Sequence, residues 1–146
     1  MSRTPLSLRS HYAAWRTIPT RWSDNDVYGH VNNSVYYHWF DTVVNNWLIE
    51  AGLLDIAAGD PIGLVVETSC RYAAPISYPE PVEIGLALAK LGNSSVTYQL
   101  GAFRPEQDEA AAEARFTHVY VGRDDRRPVP LPGAWREALQ RLVAPA

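Results

Sequence analysis

Residues 33–52, NSVYYHWFDTVVNNWLIEAG, are the one strongly helical stretch in this chain of 146 residues. Tyr36, Phe40, Val43, Val44, Trp47, Leu48 and Ala51 recur at the spacing of one helix face. His38, Asp41, Thr42, Asn45 and Asn46 occupy a narrower polar side. Asn33 or Ser34 is placed to cap the start, and Gly52 stands where a C-terminal glycine belongs. An apolar arc this wide and aromatic predicts a helix enclosed by other structure rather than lying on a surface.

Downstream the period changes from 3.6 to two. In 63–72, Leu64, Val66, Thr68, Cys70 and Tyr72 are expected to share a face opposite Val65, Glu67, Ser69 and Arg71. Val82, Ile84, Leu86 and Leu88 form a second such set, and Val96, Tyr98, Leu100 and Ala102 a third, with a hairpin turn at Gly92-Asn93 between them. Residues 112–122 alternate around Ala114, Phe116, His118 and Tyr120. Upstream, 11–23 reads as an extended first strand whose Pro19 demands an edge or bulged position. A short last helix is expected near Pro132, with Trp135, Ala138, Leu139 and Leu142 on one side. Consecutive strands joined by tight turns predict an antiparallel sheet, and its apolar face needs a cover. The long helix supplies one, so the fold class is α+β, in a single domain spanning 1–146.

Composition narrows the function. Lys+Arg 13 against Asp+Glu 16 gives a net charge of −3, with 47% hydrophobic and 20% charged residues. That is an ordinary globular balance without the cationic surplus of a phosphate-backbone binder, so no nucleic-acid partner is expected. No run reaches the ~18 apolar residues of a membrane span, and the first residues carry no secretory signal. No membrane partner and a cytoplasmic location are therefore expected. The one cysteine, Cys70, has no internal disulfide partner and reads as inert packing on a strand.

The polar chemistry concentrates just before the helix, in Arg21-Trp22-Ser23-Asp24-Asn25-Asp26-Val27-Tyr28-Gly29-His30-Val31-Asn32-Asn33. A calcium loop beginning at Asp24 would place Tyr28 at its fifth position and Val35 where a bidentate Glu belongs, which excludes it. His38 and Asp41 share a helix face but have no third ligand, so no metal is expected there. His118 reads as a packed histidine. No G-x-S-x-G, P-loop or G-x-G-x-x-G pattern occurs. Two readings of Asp24 and Asp26 remain. They are turn and capping residues, or one of them faces a cleft at the helix start. There the free N–H groups and positive dipole end can polarise a carbonyl, and a carboxylate opposite can attack an acyl carbon or activate water.

The stretch Asp24-x-Asp26-x-x-Gly29-His30-Val31-Asn32-Asn33-x-x-Tyr36 resembles that of 4-hydroxybenzoyl-CoA thioesterase-like, hotdog-fold acyl-CoA thioesterases. The order of elements over nearly the whole chain agrees. The resemblance implies an antiparallel sheet of about five strands wrapped around one long central helix. It also implies a homodimer or homotetramer with active sites between subunits. By position, Asp26 matches the catalytic aspartate, as nucleophile or as general base. Asn33 matches the residue whose backbone N–H polarises the thioester carbonyl. Gly29, His30 and Asn32 match the loop-shaping, substrate-binding positions, Tyr36 a pocket wall, and Asp24 a structural position. The implied substrate is an acyl-CoA or an acyl-carrier protein. A thioester is already activated, so neither metal nor organic cofactor is needed. The alternative is a non-catalytic module of the same fold that binds acyl-CoA or acyl-carrier protein. An intact Asp26 favours the enzyme, because binding alone needs no carboxylate at the reacting carbon.

Overall fold

The computed structural model describes residues 5–143. Its elements run β1 (Ala14–Ile18), α1 (Asn33–Glu50), β2 (Ile62–Tyr72), β3 (Val82–Leu91), β4 (Ser95–Phe103), β5 (Ala112–Val121) and α2 (Gly133–Gln140). All strand pairs are antiparallel, in the spatial order β1-β3-β4-β5-β2. This is the hotdog arrangement, one sheet curved about α1. Only β3-β4 and β4-β5 are both consecutive and adjacent. The chain leaves β2 at one edge and crosses to β3 beside the other, so the tight-turn expectation fails between β2 and β3. The first strand is shorter than 11–23. Tyr12 precedes it, and Trp22 lies in a 3-10 turn over Trp22–Asp24. Pro19 follows an edge strand, where its missing N–H breaks no ladder.

The α1 helix carries Tyr36, Trp39, Phe40, Val43, Val44 and Leu48 into the core against Val82, Ile84, Leu86, Val96, Tyr98, Leu100 and Phe116. Complete burial of a side chain such as Phe40 contributes about 1.5–3 kcal/mol. Trp47 is only half-buried, with the Arg141 guanidinium over its ring at 5.9 Å. The cap lies one residue earlier than expected: Asn32 Oδ1 accepts the Ser34 N–H at 3.0 Å. Gly52 closes the other end, its N–H donating to Ile49 O at 3.0 Å. Pro132 caps α2, which buries Trp135, Ala138 and Leu139.

On the outer face of the sheet, Tyr12 lies flat over Gly85 and Gly101. A methyl group at either glycine would stand 2.6–2.7 Å from the tyrosine ring, so both positions must lack a side chain. Leu6, Ala87, Phe103 and Ala110 complete this second, smaller cluster.

Helix α1 lies over β3 and β4 and leaves the flank formed by β2 open. No residue of β2 is buried, although it contains Leu64, Val65 and Val66. A bulge between Val65 and Glu67 also shifts its alternation. The partners of β5's inward residues are therefore Gly63, Val65, Thr68, Cys70 and Tyr72, whereas Leu64 stands opposite Val119 on the outer face. The expectation that Leu64 shares a face with Thr68, Cys70 and Tyr72 is corrected accordingly, since period-two reading cannot see an inserted residue.

Candidate active site

The loop from Arg21 to Asn32 is built on a buried carboxylate. Asp24 is 1% exposed and accepts from the Arg21 N–H at 2.8 Å, Arg21 Nε at 3.0 Å and the Arg21 guanidinium at 2.8 Å. Its own carbonyl takes the Asn32 N–H at 2.9 Å. Asp24 is thus structural, holding the loop to the helix start.

Asp26 is turned the other way. Its Oδ1 accepts the Tyr28 N–H at 2.9 Å and its Oδ2 the Asn32 Nδ2 at 3.4 Å. This includes the Asx turn expected of a turn-forming aspartate. Two partners on a carboxylate still leave acceptor sites on both oxygens, and the half-buried side chain borders two clefts. The turn is closed by Gly29 at φ +86°, where a side chain would meet no atom but the backbone itself disfavours one. Ser77 Oγ donates to Gly29 O at 3.0 Å, and the Val31 N–H donates to Ile76 O at 2.7 Å. The segment after β2 therefore clamps the loop from outside.

The first cleft, about 570 Å³, is lined by Asp26, Tyr28, His30, Val31, Asn33, Tyr36 and the run Tyr72–Pro75. The second, about 600 Å³, is lined by Trp22, Asn25, Asp26, Val27, Tyr28 and Asn32. Asp26, His30, Asn33 and Tyr36 are thus brought together, whereas Asn32 borders the second cleft. Gly29 lines neither and shapes the turn. Among the described residues the Asn33 N–H has no acceptor, while the Ser34 N–H is occupied by Asn32. A free donor at a helix start beside a carboxylate is suited to polarising a carbonyl under attack. Burial pushes the Tyr36 phenol up to about 12 and raises the Cys70 thiol, which keeps both protonated. Sequence reading missed Tyr72, Ala73, Ala74 and Pro75, which are forty or more positions from Asp26. The Pro after a strand signalled a turn but not its destination.

His118 is packed, as expected. It is 3% exposed, its Nδ1 lies 3.5 Å from the Tyr120 hydroxyl, and burial lowers its pKa to about 4. Among the described residues no three His, Cys, Asp or Glu side chains group as metal ligands. None of the described helices is long and apolar enough to cross a membrane.

Comparison with known proteins fits this geometry. A family model for the thioesterase-like superfamily matches residues 20–139. Among solved structures, the PA5185 protein from Pseudomonas aeruginosa strain PAO1 is 53% identical. It superposes with a TM-score of 0.92 over 97% of this chain and 99% of its own. The PA2801 protein from Pseudomonas aeruginosa is 28% identical, with a TM-score of 0.80 over 88% and 98%. Slr0204, a 1,4-dihydroxy-2-naphthoyl-CoA thioesterase from Synechocystis, is 20% identical at a TM-score of 0.77 over 86% and 94%, a likeness of fold. None of the curated proteins compared matches the sequence. With the family match spanning the Asp26 loop, α1 and four of the five strands, β2 to β5, the chain belongs to the thioesterase-like superfamily of hotdog-fold thioester hydrolases.

Proposed function

We propose that the protein is a cytoplasmic acyl-CoA thioesterase in which Asp26 is the catalytic group and the Asn33 N–H polarises the thioester carbonyl. The observation that carries this reading is that Asp26 and Asn33 line one cleft, and that the helix-start N–H of Asn33 has no acceptor among the described residues. In the nucleophilic route an Asp26 oxygen attacks the acyl carbon, the C–S bond breaks, and CoA leaves as a thiolate that takes a proton from solvent. Water then cleaves the mixed anhydride, releasing the acid and restoring Asp26. In the general-base route Asp26 takes the proton from an attacking water and passes it to the departing sulfur. Both routes place negative charge on the carbonyl oxygen, where the Asn33 N–H acts. Gly29 and His30 shape the loop under the substrate, and Tyr36 is the wall behind the acyl group.

The working unit of this reading is a homo-oligomer. An eleven-residue edge strand with exposed Leu64, Val65 and Val66 is a template for pairing with another chain. A second copy of β2 covers it with matched backbone groups and brings a second subunit beside the Tyr72 side of the cleft. The test is thiol release from short, long, branched and aromatic acyl-CoAs. Turnover of at least one class is expected. Acyl-CoA binding without turnover would instead identify a binding module.

A further inference from the structure

We propose that Tyr72 is a positioning residue for hydrolysis, its hydroxyl holding the first residue of α1 so that the Asn33 N–H stays directed at the substrate carbonyl. The proposal rests on the reading of the Asp26 cleft as the reaction site.

Tyr72 ends β2, opposite Ala112 and on the inward side of the sheet. Its hydroxyl donates to the Asn33 carbonyl at 3.3 Å across 39 positions of sequence. Its ring meets that of Tyr36 edge-on, with centroids 5.1 Å apart and planes at 89°. Helix ends fray, and the first residue of a helix has no helical bond on its own N–H. Asn32 Oδ1 holds the Ser34 N–H and the Tyr72 hydroxyl holds the Asn33 carbonyl, two bonds on one planar peptide unit at the helix start. The Asn33 N–H, which has no acceptor among the described residues, stands on the other side of the Asn33 Cα from that held unit. Partial burial raises the Tyr72 phenol well above its ordinary range, so the hydroxyl remains a donor. The loop has other anchors, Val31 N–H to Ile76 O and Ser77 Oγ to Gly29 O, so the fold does not depend on this hydroxyl.

Tyr72→Phe keeps the ring contact and removes only the donor. The expected result on the intact oligomer is a fall in kcat of about fivefold, the scale of one hydrogen bond, with KM within about twofold and the thermal midpoint unchanged. Hydrogen exchange at the amides of residues 34–36 should accelerate, while that of the sheet stays as in the wild type. An unchanged kcat, or a fall in kcat that tracks loss of the oligomer, would overturn the assignment. Unchanged exchange at 34–36 would overturn it as well, and this readout needs no turnover. A wild type that hydrolyses no acyl-CoA would sink the proposed function, and the exchange measurement then decides separately whether the hydroxyl holds the helix start.

Discussion

Asn32 donates its side-chain amide to the Asp26 carboxylate across 3.4 Å, while the oxygen of the same amide caps α1 at the Ser34 N–H. One side chain therefore sets the orientation of the candidate catalytic group and the start of the helix that is to act on the same carbonyl. Its two contacts are separable by substitution. In Asn32→Ser the hydroxyl can still cap, but it is too short to reach Asp26. Unfolding free energy should stay within about 0.5 kcal/mol of the wild type while kcat/KM falls about fivefold. In Asn32→Ala both contacts go, and stability should drop by about 1 kcal/mol in urea titration. Equal activity in Asn32→Ser and the wild type would separate Asn32 from the chemistry.

Gly29 isolates a backbone effect. Its φ of +86° disfavours any L side chain, yet an added methyl would meet no atom within 4 Å. Gly29→Ala should cost about 1 kcal/mol through backbone strain alone, and Gly29→Asn less, because asparagine tolerates positive φ. Denaturant midpoints measure both. An alanine variant as stable as the wild type would mean that the turn relaxes.

How far the sequence was readable is clearest along β2. The motif around Asp26 and the helix face from Tyr36 to Leu48 were legible because each depends on spacing within one segment. The identity of the inward residues of β2 was not, because the bulge after Val65 inserts a residue that no local pattern marks. The place of β2 at the far edge was hidden for a similar reason. Strand order is set by which faces α1 covers, a property of the packed sheet rather than of any strand. The cap moved one residue to Asn32 because three adjacent polar residues can each cap, and the bond from the Asn32 N–H to Asp24 O decides among them. Tyr72–Pro75 reach Asp26 only through tertiary contacts, so the second wall of the cleft had no signal near the motif.

The buried His118 gives the protein an acid-sensitive core. Burial lowers its pKa from an ordinary 6.5 to about 4, so between those values the unfolded chain binds a proton that the folded chain does not. Its contribution is present above pH 6.5 and is lost as the pH falls through this window, with a slope approaching about 1.4 kcal/mol per pH unit. Urea midpoints at several values between pH 7.5 and 4.5 should show the decline, and His118→Phe should flatten it. The same slope in both proteins would assign the sensitivity to other groups.

The open edge of β2 makes a further prediction. Val65 faces inward opposite His118, is 48% exposed, and stands on the strand that a second copy is to pair. Sedimentation should find the wild type as a dimer or tetramer. Val65→Lys, which puts a charge on that edge, should shift it to monomer and reduce turnover with it. A monomeric wild type, or a monomeric variant with full activity, would contradict a site completed between subunits.

The central claim is that Asp26 performs the chemistry in a cleft polarised by the start of α1, and Asp26→Asn tests it most directly. Asparagine keeps the size and the Tyr28 contact but can neither attack nor take a proton. Thiol release from the best acyl-CoA substrate should fall by about 10²–10⁴-fold in a variant with wild-type folding and acyl-CoA binding. A folded Asp26→Asn protein that hydrolyses the substrate at the wild-type rate would contradict the account.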